Sequence, residues 1–335
     1  MGPPIIAFFN NRGGVGKTSL VYHLAWMYNT LGIRVVAADL NPQANLTAAF
    51  LSEERLEEVW ELDNLSDGRA GKTVFSCIHP LRKGMADIEE PELEHIDDDL
   101  NLLTGDLRMS LFEENLASEW LGCLRQKERP LSITSAFGRM LEKSGKKCNA
   151  DIVLVDLGPN FSAINRAALV FAEYVVVPLS PDIFSLQALK DLGPTLSRWR
   201  EEWKECLTKN IATDLKLPSN TMQPIGYIIL QPSIRFDRPV QAFQRWILEI
   251  SSTYRAKVIQ SKMQVSTKDD VNCLALLKHY QSLMPMAQEA RKPIFHLKPA
   301  DGAIGAHSNA VQSVYQDFKK LAMVIAERVD LTIPQ

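Results

Sequence analysis

The chain has 335 residues, with 37 Lys and Arg against 40 Asp and Glu, a formal net charge of −3, and 46% apolar and 23% charged positions. That is the mix of a globular protein with a sizeable buried core, and it excludes disorder. The longest apolar stretches, such as 152–155 and 174–178, fall far short of the ~20 residues a membrane-spanning helix needs.

The N-terminus runs from Met1-Gly2-Pro3-Pro4 straight into Ile5-Ile6-Ala7-Phe8-Phe9. It lacks the basic region and long apolar core of a secretion signal, and the Ser or Thr of a myristoylation site. The apolar run predicts a buried strand, followed by a glycine-rich loop and a helix over 18–31. Further apolar runs predict strands over 35–39, 100–103, 151–156, 174–178 and 225–230, with helical patterns between most of them. Residues 52–99 read as an insertion: a charged helix over 52–62, a turn carrying Gly, Lys and Arg over 67–72, and a solvated acidic loop over 89–99. Amphipathic spacing predicts helices over 237–252 and 307–329, so that 237–335 forms helices covering the sheet. Residues 1–335 thus read as a single α/β domain. Its expected core is a doubly wound, mostly parallel sheet of six to eight strands with helices on both faces, plus the helical and acidic insertion.

Five cysteines, Cys77, Cys123, Cys148, Cys206 and Cys273, are scattered singly. Their odd number and lack of pairing pattern predict reduced thiols and a cytoplasmic protein. No CxxC is present and the histidines lack metal-ligand spacing, so no metal cluster is expected.

Between the first strand and the first helix stands Asn10-Asn11-Arg12-Gly13-Gly14-Val15-Gly16-Lys17-Thr18-Ser19. Glycines in that setting let backbone N–H groups converge on phosphate oxygens at a helix N-terminus, where the helix dipole also favours an anion. Asn11, Gly13, Gly14, Val15, Gly16, Lys17, Thr18 and Ser19 are therefore the expected nucleotide cradle. Lys17 would reach the β- and γ-phosphates of ATP, and Thr18 would offer its hydroxyl to Mg2+.

A strict Walker A motif has glycine where Asn11 stands, and this loop instead resembles the deviant Walker A of the ParA/MinD (Soj-like) family of P-loop ATPases, usually Lys-Gly-Gly-x-Gly-Lys-Thr. The resemblance implies that Arg12, in place of the first lysine, acts across a dimer interface on the partner's phosphates. It continues at Asp39-Leu40-Asn41-Pro42-Gln43-Ala44-Asn45, similar to the family's switch segment Asp-Leu-Asp-Pro-Gln-Gly-Asn. There Asp39 would order the Mg2+ shell, and Asn41 replaces the aspartate associated with the attacking water. An amide holds a water but is no carboxylate base, so slow hydrolysis is expected. Asp151 to Asn160 resembles the family's Walker B strand, which implies Asp156 near Mg2+. Gln231 falls near where the family grips adenine. The resemblance spans about 4–235.

Taken with the motif, it implies an ATP-binding switch that forms a homodimer on Mg-ATP and binds DNA or a protein partner. The alternative from Arg12 and Asn41 is an ATP-sensing adaptor that barely hydrolyses and gates a partner protein. A membrane tether of the MinD kind is not expected, since the tail carries Asp330 and Pro334 rather than a basic amphipathic helix. Cations available for DNA are Arg291, Lys292, Lys298, Lys319 and Lys320.

Overall fold

The computed structural model describes residues 2–62, 72–85, 87–125, 128–209, 217, 222–230, 240–261, 270–280 and 282–334. Its strands are β1 (Ile5–Phe8), β2 (Val35–Asp39), β3 (Glu94–Asp97), β4 (Leu100–Leu103), β5 (Ile152–Asp156), β6 (Tyr174–Leu179), β7 (Gln223–Leu230) and β8 (Cys273–Leu277). They form one eight-stranded sheet in the order β3-β4-β2-β5-β1-β6-β7-β8. Every neighbouring pair is parallel except β3 and β4. The central strands β1, β2 and β5 are buried along their whole length. This explains why they read as unbroken apolar runs rather than alternating ones.

The helices are α1 (Lys17–Thr30), α2 (Asn45–Phe50), α3 (Glu53–Leu62), α4 (Val74–Arg82), α5 (Glu113–Cys123), α6 (Glu128–Thr134), α7 (Ala136–Lys147), α8 (Ala163–Leu169), α9 (Ile183–Lys209), α10 (Val240–Thr253), α11 (Leu283–Ala290) and α12 (Ala306–Arg328). Alternate side chains of one strand feed opposite layers. Ile5 and Ala7 pack with Val74, Phe137, Leu189 and Trp203 on one face. Ile6 and Phe8 pack with Leu20, Leu24, Phe318 and Leu321 on the other. Each fully buried Ile, Leu or Val contributes about 1.5–3 kcal/mol, so both layers clamp the sheet strongly.

The structure departs from the sequence reading at the two sheet edges. Within the acidic stretch expected as a loop, Glu94–Asp97 instead pairs antiparallel with β4. Glu94 is held by Arg55 through Nε at 2.6 Å and Nη2 at 2.9 Å. Charged side chains on an edge strand discourage further pairing, which disguises the strand as a loop. The segment 52–99 also sends Val59 into one core layer and Phe75 into the other. In the C-terminal part, expected to be helices alone, Cys273–Leu277 forms the opposite edge strand. A short Cys-Leu-Ala-Leu-Leu run cannot be told from a helical segment by periodicity. The turn expected over 67–72 lies, apart from Lys72, outside the described residues.

Candidate nucleotide and metal site

Because the central strands run parallel, the loops leaving β1, β2, β5 and β6 gather at one edge of the sheet. That edge, beyond the carboxyl ends of strands, is where open α/β sheets bind ligands. The loop after β1 turns on Gly14 (φ 73°) and Gly16 (φ 76°), left-handed values that a side chain would strain. Asn10 anchors it, donating from Nδ2 to the Pro178 carbonyl at 2.7 Å and accepting from the Arg12 N–H at 3.0 Å. Lys17 is buried, and its ammonium donates to the carbonyls of Asn10 (3.1 Å) and Arg12 (2.9 Å). Burial lowers its pKa to about 8 against the opposing pull of Asp156.

Thr18 opens α1 and donates its hydroxyl to Asp156 Oδ2 at 2.7 Å. Asp156 Oδ1 is buried without a hydrogen-bond partner. Asp39 sits opposite Asp156 in the register of β2 and β5. Both carboxyls are fully buried, and both pKa values are raised: burial is the largest cause for each, and Asp39 is the next for Asp156. Asp39 is amply hydrogen-bonded. Its Oδ2 accepts from the N–H and the hydroxyl of Thr47, each at 2.8 Å, and its Oδ1 accepts from the Asn41 N–H at 3.1 Å. An orphaned carboxylate oxygen beside a threonine hydroxyl, opposite a second buried carboxylate, is a hard-oxygen donor set that fits Mg2+.

The other expected site residues divide. Asn41 is buried at the same edge, and its Oδ1 accepts from the Gln43 N–H at 3.2 Å, closing a local turn. Asn11 keeps a buried, unpartnered Oδ1, and Gly13 lies against Pro159. Val15 is buried and Ser19 lies 3.4 Å from His23 Nδ1. Arg12 forms an ion pair with Asp182 of its own chain, donates to Ser185 Oγ at 3.1 Å and stacks over Phe184. Gln231 lies outside the described residues, but the preceding Leu230 lines a cavity of about 220 Å3 with Gly14, Gly16, His279, Tyr280 and Phe318.

Sequence reasoning missed Thr47, Asp182 and His23. His23 Nδ1 lies 2.7 Å from the Ser19 carbonyl, its Nε2 accepts from the Ile294 N–H at 3.2 Å, and its ring stacks on Phe318. It thereby ties the start of α1 to the C-terminal layer. Burial lowers its pKa to about 4, so it works as a neutral imidazole. Thr47 follows the switch-like segment and His23 lies one turn along α1 from Ser19, but the Arg12–Asp182 pair and the contacts of His23 with Ile294 and Phe318 join residues distant in sequence. Of the cations considered for DNA, Lys292 is paired with Asp301 at 2.8 Å, and Arg291 donates to the Leu51 carbonyl. Among the described residues no helix is long and apolar enough to cross a membrane.

The AAA_31 family model, described as an AAA domain, matches residues 4–209. A ParA family protein of Mycoplasma pneumoniae is 23% identical over 270 residues, covering 78% of this chain and 88% of that protein. The chromosome-partitioning ATPase Soj of Thermus thermophilus is 29% identical over 197 residues, covering 58% of this chain and 62% of that one. The chain spans 66% and 45% of the length of two further curated relatives. Among solved structures, the ATP complex of Cyanothece McdA(D38A) superposes with a TM-score of 0.62 at 12% identity, covering 100% of this chain and 99% of that one. At that identity the likeness speaks to the fold.

Proposed function

The chain belongs to the AAA_31 family, with ParA- and Soj-type relatives, and on that premise we propose that it is a cytoplasmic, ParA-like ATPase that acts as a Mg-ATP-dependent switch. The observation carrying this reading is the Thr18–Asp156 contact with its unpartnered carboxylate oxygen, set one residue from the buried Lys17.

Nucleotide phosphates would lie on the N–H groups of residues 13–18, at the start of α1. Lys17 would exchange its loop carbonyls for phosphate oxygens. Thr18 and Asp156 would hold the cation, with Asp39 in its outer shell, and the cation would neutralise phosphate charge. The cavity beside Gly16, walled by His279, Tyr280 and Phe318, offers aromatic faces and polar edges suited to the base, with Gln231 following directly in sequence. Arg12 would leave Asp182 to meet phosphate across a homodimer. A protein partner, nonspecific DNA or both would then read the dimer.

The alternative, a sensor that binds ATP and scarcely hydrolyses it, is favoured by Asn41. Its carbonyl oxygen accepts the Gln43 N–H, and no carboxylate stands at that position to act as a base for water. Turnover of ATP with and without DNA, read beside light scattering, tests both readings. The switch predicts ATP-dependent dimers and slow turnover raised by DNA or partner. The sensor predicts dimers or partner binding without turnover. Loss of nucleotide binding altogether refutes both.

A further inference from the structure

Asp39 is wholly buried, yet it belongs as much to α2 as to β2. Ala44, at the start of α2, has left-handed backbone (φ 52°) and no side chain that could cap the helix. The Asp39 carboxylate does that from the strand, accepting the Thr47 N–H and hydroxyl on Oδ2. The Thr47 hydroxyl spends its one proton on Asp39 and accepts the Gly105 N–H at 2.7 Å. A single buried oxygen thus joins α2, the loop after β4 and the carboxylate facing Asp156. Gly105 closes the other side: a Cβ there would fall 2.8 Å from Asp39 Cγ and 2.9 Å from Oδ2, so the loop backbone itself walls the carboxylate in.

We propose that Thr47 is a positioning residue for the divalent cation held by Thr18 and Asp156, locking the Asp39 carboxylate to α2 and to the Gly105 loop. The inference rests on the Mg-nucleotide reading above. Asp39 and Asp156 are buried opposite each other on one rung of the sheet, where two carboxylates repel and a cation between them relieves the repulsion. With Asp39 fixed by Thr47, the relief is felt at α2 and at Gly105, so the segment after β2 senses the cation without touching it. Losing the Thr47 hydroxyl is costly, because it leaves the Gly105 N–H without an acceptor and leaves Asp39 Oδ2 with the Thr47 N–H alone.

The test compares Thr47→Val, which keeps the side-chain shape and removes the hydroxyl, with Thr47→Ser, which keeps the hydroxyl. The measured quantity is the Mg2+ concentration for half-maximal binding of a fluorescent ATP analogue, beside binding of the same analogue in EDTA. Thr47→Val raises the half-saturating Mg2+ roughly ten- to a hundredfold, as loss of outer-shell partners does elsewhere. Thr47→Ser restores the wild-type value, and affinity in EDTA is unchanged in both. An unchanged Mg2+ requirement in Thr47→Val, or equal losses with and without Mg2+, overturns the inference alone. Wild-type protein without any Mg2+-dependent nucleotide binding overturns the nucleotide reading and the inference with it. Hydrogen exchange on the wild type decides the matter even where Thr47→Val does not fold. Mg-nucleotide slows exchange at Leu46, Thr47 and Gly105 beyond what nucleotide in EDTA does, and no added protection there overturns the coupling.

Discussion

Replacing Asp156 by Asn removes one charge from the buried pair at the ends of β2 and β5 while leaving an oxygen for the Thr18 hydroxyl. Burial first, and then Asp39, raises the Asp156 pKa from 3.8 to about 7. That distance of about 3 pH units, at ~1.4 kcal/mol each, is roughly 4 kcal/mol. A carboxyl whose folded pKa lies above its unfolded value binds more protons when folded. Its stabilising share is therefore complete below pH 3.8 and lost as pH rises towards about 7. In EDTA the wild type should lose up to roughly 4 kcal/mol relative to Asp156→Asn between acid and pH 8. Mg2+ binds the ionised carboxylate, so it should restore stability at pH 8 far more than at pH 5, and Asp156→Asn should lack that response. Urea unfolding midpoints for both proteins, at both pH values, with EDTA or Mg2+, measure the difference. A variant with the wild-type pH slope, or one that Mg2+ stabilises equally, refutes the electrostatic account of the site.

Lys17→Ala should abolish binding of ATP in a titration, and wild-type affinity should weaken as pH rises through about 8, where the buried ammonium loses its proton. Arg12→Ala should leave ATP binding by the monomer largely intact and weaken ATP-dependent dimers in light scattering. Its ion pair with Asp182 is partly exposed, so the stability cost should stay below about 1 kcal/mol. Equal loss of monomer affinity would place Arg12 in its own subunit's site. Asn41→Asp should speed single-turnover hydrolysis at saturating Mg-ATP by about 10²–10⁴-fold. A wild type already as fast as that variant would make Asn41 a bystander.

The phosphate-binding loop and the central strands were legible in the chain itself, because both rest on local physics. Buried parallel strands need uninterrupted apolar runs, and a loop that bends back towards a helix N-terminus needs glycine at Gly14 and Gly16. Asp39 and Asp156 were also legible, through the resemblance of their segments to the family's switch and Walker B motifs. What the tertiary structure alone decided was their relation. The β2–β5 register set the carboxylates opposite each other and raised both pKa values. The pairing of β1 with β6 brought Arg12 to Asp182, 170 residues away, and the fold of the segment after β2 gave Asp39 its partner in Thr47, whose hydroxyl in turn reaches Gly105. The edge strands β3 and β8 were likewise settled by pairing, since acidic residues disfavour a strand and a short apolar run fits a buried helix as well as a strand. Local sequence specifies backbone shape and burial. Charge repulsion, capping and edge pairing depend on which distant atoms meet, and that is fixed only when the sheet closes its register.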